Sequence, residues 1–277
     1  MSKWSKWSKS FKLLQRLSIV SAIGLFATLH AAAPAAAEQT IDDIIKKGTI
    51  VVGVSTTTPI FGLIGKDGEP EGYDPDVARL LAKYLGVKVE FVPVTGANRI
   101  PQLLSGRVDV LICLFGITAE RAQQVWYSMP YAYEAATLVA PAKVNVKTLD
   151  DLKGKRVGVP RGAMQDLMLT PIAQEKGIQL QRFDDEATEL QALISGQIDL
   201  GGTGLLVNKR LNRNDPGKDY QVKIVLRPLH FGIGMRRGEN DKRQWLNTFI
   251  YTIKNNGELD AISRKWRELP LEELPVF

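Results

Sequence analysis

The 277-residue sequence is poor in cysteine and histidine, two side chains that nucleophilic and metal chemistry often use. It holds one cysteine, Cys113, and two histidines, His30 and His230. A single cysteine excludes an intrachain disulfide. Cys113 falls in the apolar run VDVLICLFG, where it reads as a small buried hydrophobe rather than a reactive thiol. With so few histidines there is no histidine-based zinc site, no other ligand cluster for a metal, and no Ser-His-Asp or Cys-His set. No cofactor is implied. Long apolar runs are also scarce. The stretch Leu17 to Leu29 falls short of the roughly 20 residues that a membrane-spanning helix needs.

That short stretch follows Lys3, Lys6, Lys9, Lys12 and Arg16 and precedes the small-residue run AAAPAAAE. The order predicts a secretory signal peptide over residues 1–37, cleaved after Ala37 at an A-x-A site formed by Ala35 and Ala37. It also removes most of the charge excess. The formal net charge is +6, but five of the 36 basic residues and none of the 30 acidic ones lie in 1–37. The remainder is nearly neutral, with no basic-aromatic stripe, so no nucleic acid partner is expected.

After residue 37 the sequence alternates between two periodicities. GTIVVGVS (48–55) is a β-branched run with glycine punctuation, a buried strand. In GYDPDVARLLAKYLGV (72–87), Val77, Leu80, Leu81, Tyr84 and Leu85 recur at helical spacing, with Gly86 as the stop. Asp74 and Asp76 read as caps at the helix start. VKVEFVPV alternates as a strand, and NRIPQLLSGRVDVLICLF gives a short helix, a glycine stop and another strand. This β-α-β-α-β order implies an α/β unit with a largely parallel sheet. The order then begins again from LDDLKGKRVGVPRG. LLSGRVDVL (103–111) and LISGQIDLG (193–201) are alike, each turning from a helix through Ser-Gly into a strand at Val/Ile-Asp, as two lobes of like architecture would. KRQWLNTFIYTIKNNGELDAISRKW predicts two helices divided at Asn256-Gly257.

GYDPDVARLLAKYLG, RIPQLLSGRVDVL, GITAERAQQVWYSMPY, LDDLKGKRVGVPRG and NNGELDAISRKW occur in an order that resembles the bacterial extracellular solute-binding proteins of family 3, the amino-acid-type binding proteins of ATP-binding-cassette importers. The resemblance covers roughly residues 41–268. It implies a two-lobed α/β periplasmic-binding-protein fold (type II), each lobe a central β-sheet flanked by helices, joined by a two-strand hinge near Tyr133 and His230. The expected division is 38–132 for the first part of lobe 1, 133–229 for lobe 2 and 230–277 for the return to lobe 1.

In this family the arginine of the T-x-x-R motif, here Arg121 after Thr118, grips the ligand's carboxylate, and a guanidinium fork matches two carboxylate oxygens. Phe61 aligns with the aromatic that walls the pocket. Leu114 and Gly116 stand just before the motif where family members usually carry hydroxyls, with Phe115 between them as a further candidate contact. Ala163 and Met164 stand where a Ser or Thr is usual in the second lobe. The resemblance implies an ammonium-holding aspartate five residues past Asp199, but that position is Gly204, beside Thr203. Thr203 and Gln165 offer secondary hydrogen bonds, and Arg161 a second contact to an anion. An ammonium buried without a counter-charge is costly. The departure therefore argues against an α-amino acid held in the usual way and points to a related small organic acid with an apolar or aromatic body, with an amino acid as the alternative if Glu134 or Asp166 supplies the missing charge.

The expected function is capture of a small carboxylate-bearing solute by a monomeric periplasmic protein, which closes on it and delivers it to an inner-membrane permease. No enzymatic step is expected. A dehydratase-like enzyme acting on a cyclic carboxylate, a reading related proteins suggest, lacks an obvious general acid here. A ligand-sensing co-receptor would use the same closure.

Overall fold

A computed structural model describes residues 39–275; the expected signal peptide lies outside the described residues. In chain order the elements are α1 (Ile41–Lys47), β1 (Thr49–Val54), β2 (Thr57–Thr58), β3 (Gly62–Ile64), β4 (Pro70–Glu71), α2 (Tyr73–Leu85), β5 (Lys88–Pro93), α3 (Arg99–Leu104), β6 (Val110–Leu111), α4 (Ala119–Ala122) and β7 (Val125–Pro141). There follow β8 (Arg156–Pro160), α5 (Met164–Ala173), β9 (Gln179–Phe183), α6 (Glu186–Ser195), β10 (Leu200–Gly204), α7 (Val207–Asn214), β11 (Tyr220–Arg236), α8 (Asn240–Asn255) and α9 (Glu258–Arg267).

Eight strands join in the order β5-β1-β6-β11-β7-β10-β8-β9. The two long strands β7 and β11, 17 residues each, run antiparallel through both lobes. One end of this ribbon meets β6 at Gly234↔Leu111, which continues the parallel set β6, β1, β5 of the first lobe. The other end meets β10, from Gly201↔Val139 to Gly204↔Ala136, which continues the parallel set β10, β8, β9 of the second. Between the two attachments Tyr133 and His230 are register partners, their rings 5.4 Å apart. This is the two-lobed α/β fold expected from the resemblance.

Both faces of each sheet half are covered. The apolar side of α2, with Val77, Ala78 and Leu81 fully buried, packs in one cluster with Ile50, Val52, Ile250 and Ile253. Phe115, Val108 and Leu103 form the opposite face of the same lobe. The second lobe is built alike, with clusters around Val157, Val159 and Leu200 and around Leu190, Leu193 and Ile198. Each fully buried Leu, Ile or Val contributes about 1.5–3 kcal/mol, and the first cluster reaches across to Met164 and Ala136 of the other sheet half.

The internal likeness of 103–111 and 193–201 has a structural basis. Gly106 (φ 76°) and Gly196 (φ 78°) both take the left-handed conformation after their helices, which an L side chain resists. Three residues later, Asp109 accepts the backbone N–H of Val51 at 2.8 Å and Asp199 that of Arg156 at 2.9 Å. Each aspartate thus ties its turn to the strand beside it. Asp74 behaves differently from expectation. The N-cap of α2 is Gly72, with no side-chain cap bond. Asp74 is instead fully buried, accepting Tyr131 Oη at 2.7 Å and the backbone N–H of Leu114 at 2.8 Å.

Candidate functional site

Between the lobes lies a cavity enclosing about 110 Å³. An apolar cavity of about 150 Å³ takes benzene, so this is space for a small molecule and not for a peptide. Of the residues singled out in the sequence, Phe61, Leu114, Gly116, Arg121, Ala163, Met164 and Gly204 all line it. Phe115 and Thr203 do not. Phe115 points into the core of the first lobe, fully buried, and serves as the platform under two guanidinium groups. Thr203 is buried behind the wall, its Oγ1 bonded to Glu186 and its carbonyl taken by Thr137 and Gln165. Arg161 does not line the cavity either; its nearest acid is Asp184 at 4.0 Å.

Local chemistry fixes Arg121. Thr118 caps the short helix α4, its Oγ1 accepting the backbone N–H of Arg121 at 3.2 Å. The side chain is 7 % exposed and lies over the ring of Phe115 at 5.4 Å. Its Nη1 donates to the Gly116 carbonyl at 2.9 Å, and Nη2 crosses the cleft to the Gly162 carbonyl at 3.1 Å. These partners are neutral carbonyls, so a buried cation faces the cavity without a carboxylate. Burial, with Arg99 beside it, pushes its pKa down to about 10; it stays charged at neutral pH.

Arg99 is a site residue that the sequence reading passed over. It sits at the start of α3, its guanidinium 4.9 Å from the centre of the Phe115 ring, and donates to the carbonyls of Cys113 (3.3 Å) and Gly162 (3.2 Å). The signal was an arginine at the head of an apolar helix, a place where most arginines simply point into water. Phe61 is both wall and core. It is 3 % exposed, 5.4 Å from the ring of Tyr73 and 6.1 Å from that of Phe231.

The opposite wall is acidic. Glu134, on β7, is buried and lines the cavity, and burial raises its pKa. Glu186, at the start of α6, lines it too and is pushed up to about 7, mainly by burial. Asp166 is otherwise engaged. Its carboxylate accepts Gly162 N–H, Thr170 Oγ1 and Arg182 Nε, the last at 2.8 Å. Of the two acids named from sequence as replacements for the missing aspartate, Glu134 alone faces the cavity. No group of three or more metal-ligating side chains occurs among the described residues.

Comparison with known proteins bears on this geometry. The family model for bacterial extracellular solute-binding proteins, family 3, matches residues 50–268. An L-cystine-binding protein of Escherichia coli (strain K12) is 32% identical over 236 residues, covering 83% of this chain and 86% of that protein. A glutamine-binding protein of an ATP-binding-cassette transporter from Bacillus subtilis (strain 168) is 30% identical over 246 residues, 85% of this chain and 87% of that one. Among solved structures, a solute receptor for L-cysteine from Neisseria gonorrhoeae superposes with a TM-score of 0.79 at 28% identity, over 85% of this chain and 100% of the other.

Proposed function

The chain belongs to the bacterial extracellular solute-binding proteins, family 3, and on that premise we propose that the solute it captures is an α-amino acid, gripped through its carboxylate by Arg121. As a member of this family it is a solute-binding component of ATP-binding-cassette transport and not an enzyme. The observation that carries the amino-acid reading is the state of Arg121: buried, charged, aimed into a cavity of amino-acid size, and paired only with carbonyls. A carboxylate entering there replaces weak neutral acceptors with charge-assisted bonds of about 1.5–3 kcal/mol each. Two relatives at 30% identity or above are named for binding L-cystine and glutamine, both α-amino acids.

On this reading the lobes are 38–132 with 230–277, and 133–229, and the β7–β11 ribbon bends between them. Leu114, Gly116 and Phe61 come from one lobe and Ala163, Met164 and Gly204 from the other, so a solute touching both favours the closed state. The protein acts as a periplasmic monomer after loss of residues 1–37 and passes its solute to a membrane permease. The test is a calorimetric titration of the purified protein with the twenty protein amino acids and L-cystine, beside hydroxy, oxo and aromatic acids. Tight binding of an amino acid, lost in Arg121→Met, supports the reading. Tight binding of organic acids alone would overturn it.

A further inference from the structure

Glu134 is the counterpart of Arg121 on the far wall, and its geometry says more about the solute. It is 3 % exposed. Its Oε1 is held by two backbone N–H groups, Ala135 on its own strand at 3.0 Å and Leu205 after β10 at 3.1 Å. Oε2 accepts no hydrogen bond from the described residues, and the side chain lines the cavity. No lysine or arginine among the described residues pairs with it. The carboxylate is therefore clamped by one oxygen and presents the other to the space where solute must lie.

The backbone opposite has made room for it. A Cβ placed on Gly204 would stand 3.4 Å from Glu134 Cγ, 3.6 Å from Cδ and 3.7 Å from Oε2. A short acidic side chain at 204 would thus put its carboxylate into the volume that Glu134 now fills from the neighbouring strand. The other acids nearby are bound up elsewhere. Asp184 is exposed beside Arg161, Asp185 caps α6 through the N–H of Thr188, and Glu186, which also lines the cavity, spends one oxygen on a side-chain hydroxyl, that of Thr203, whereas Glu134 is fixed by backbone alone. A buried carboxylate without a counter-charge is costly unless something cationic joins it, and no lysine or arginine among the described residues stands at ion-pair distance, Arg267 acting on it only from further off.

Building on the amino-acid reading above, we propose that Glu134 receives the α-ammonium of the bound amino acid and is the residue that makes the cleft prefer amino acids to the matching hydroxy acids. Arg121 and Glu134 then form the two poles of a zwitterion site, one from each wall. The ammonium is met from the ribbon that joins the lobes rather than from the end of β10. Closure would seal the ammonium against a carboxylate whose position is fixed by backbone bonds.

The test compares wild type, Glu134→Gln and the double variant Glu134→Ala with Gly204→Asp, which vacates the volume at 134 before filling it from 204, by calorimetry. The probes are the L-amino acid that binds wild type most tightly and the 2-hydroxy acid with the same side chain. Removing one member of a buried charge pair should weaken the amino acid by about thirtyfold or more, while the hydroxy acid binds as before or better. The double variant should regain most of the amino-acid affinity, because the second substitution brings a carboxylate to the same space. Hydroxy-acid binding also reports that the variant is folded. Equal losses for both probes, or no loss in Glu134→Gln, would overturn the assignment while leaving the amino-acid function standing. A wild type that binds no amino acid would instead sink the function on which the assignment rests.

Discussion

Asp74 accepts the backbone N–H of Leu114 at 2.8 Å, across 40 residues of sequence. Leu114 has φ 45°, a left-handed conformation that costs a non-glycine residue about 1–2 kcal/mol. The bond holds the strained residue in place, and Tyr131 Oη on the other oxygen, at 2.7 Å, ties the same carboxylate to β7. Two residues on, the Gly116 carbonyl accepts from Arg121. The anchor of the arginine thus begins on α2. Asp74→Ala should lower unfolding stability by about 2–4 kcal/mol, since two buried donors lose their acceptor, and should weaken solute binding at least tenfold through Arg121. Asp74→Asn keeps an acceptor for Leu114 and should stay within about 1 kcal/mol of wild type. Chemical denaturation and calorimetry check both. An Asp74→Ala protein with unchanged affinity would separate this carboxylate from the site.

Four buried acids bear on pH dependence. Burial is the first cause of a raised pKa at Asp74, Glu134, Glu186 and Glu189, and takes Asp74 and Glu186 to about 7. In the unfolded chain the same groups release their protons near pH 4 to 4.5. Between those values the folded state holds more protons than the unfolded one, so stability falls as pH rises from about 4 through about 7. Carboxylates with lowered pKa, such as Asp43 and Asp151, act in the opposite sense but below this window. The unliganded protein should therefore melt at a higher temperature at pH 5 than at pH 8, and Asp74→Asn should flatten the slope. A melting temperature that climbs steadily from pH 5 to pH 8 would contradict this.

Closure rests on a close approach of two backbones. A Cβ on Gly96 would meet the Arg161 carbonyl oxygen at 2.5 Å and the Gly162 carbonyl carbon at 3.1 Å. Main chain cannot step aside as a flexible side chain can. Gly96→Val should therefore prop the lobes apart, enlarge the radius of gyration in small-angle scattering with solute present, and weaken binding at least tenfold. Gly96 belongs to none of the buried apolar clusters, so thermal stability without solute should change little. A Gly96→Val protein as compact as wild type, with undiminished affinity, would show that this contact does not govern closure.

The sequence made some of this legible and hid the rest for physical reasons. The repeated Ser-Gly-x-Val/Ile-Asp turn exposed the two lobes because a left-handed glycine and a strand-tying aspartate are both local requirements. Arg121 was singled out only through the T-x-x-R motif of the family, since by itself an arginine at a helix start reads as a surface charge. Asp74 was misread as a helix cap, since a carboxylate in a first turn has that bland use and its true partners, Leu114 and Tyr131, are 40 and 57 residues distant. Glu134 was named from sequence only as one of two replacements. β7 is buried on both faces, so alternation along it does not tell which side chains face the cleft. Thr203 was placed on the wrong side of its wall because its glycine-rich strand has no alternation to read.

Arg99 and Arg121 differ in what they should do, although both lie over Phe115 and both donate to the Gly162 carbonyl. Arg99 spends its two terminal nitrogens on backbone carbonyls of both lobes, Cys113 and Gly162, and its Nε is buried without a partner. That makes it a strut between lobes. Arg121 is held by Gly116 and can exchange its bond to Gly162 for a carboxylate. Arg99→Met should weaken solute binding by about tenfold, because it acts on closure rather than on a ligand group. Arg121→Met should cost about 2–5 kcal/mol of binding, and Arg121→Lys should recover only part, since an ammonium lacks the planar fork. Calorimetry on the three variants with one amino acid separates the roles by the size of each loss and by the partial recovery in Arg121→Lys. If Arg99→Met were the more damaging and Arg121→Lys equal to wild type, the carboxylate would have to be assigned to Arg99.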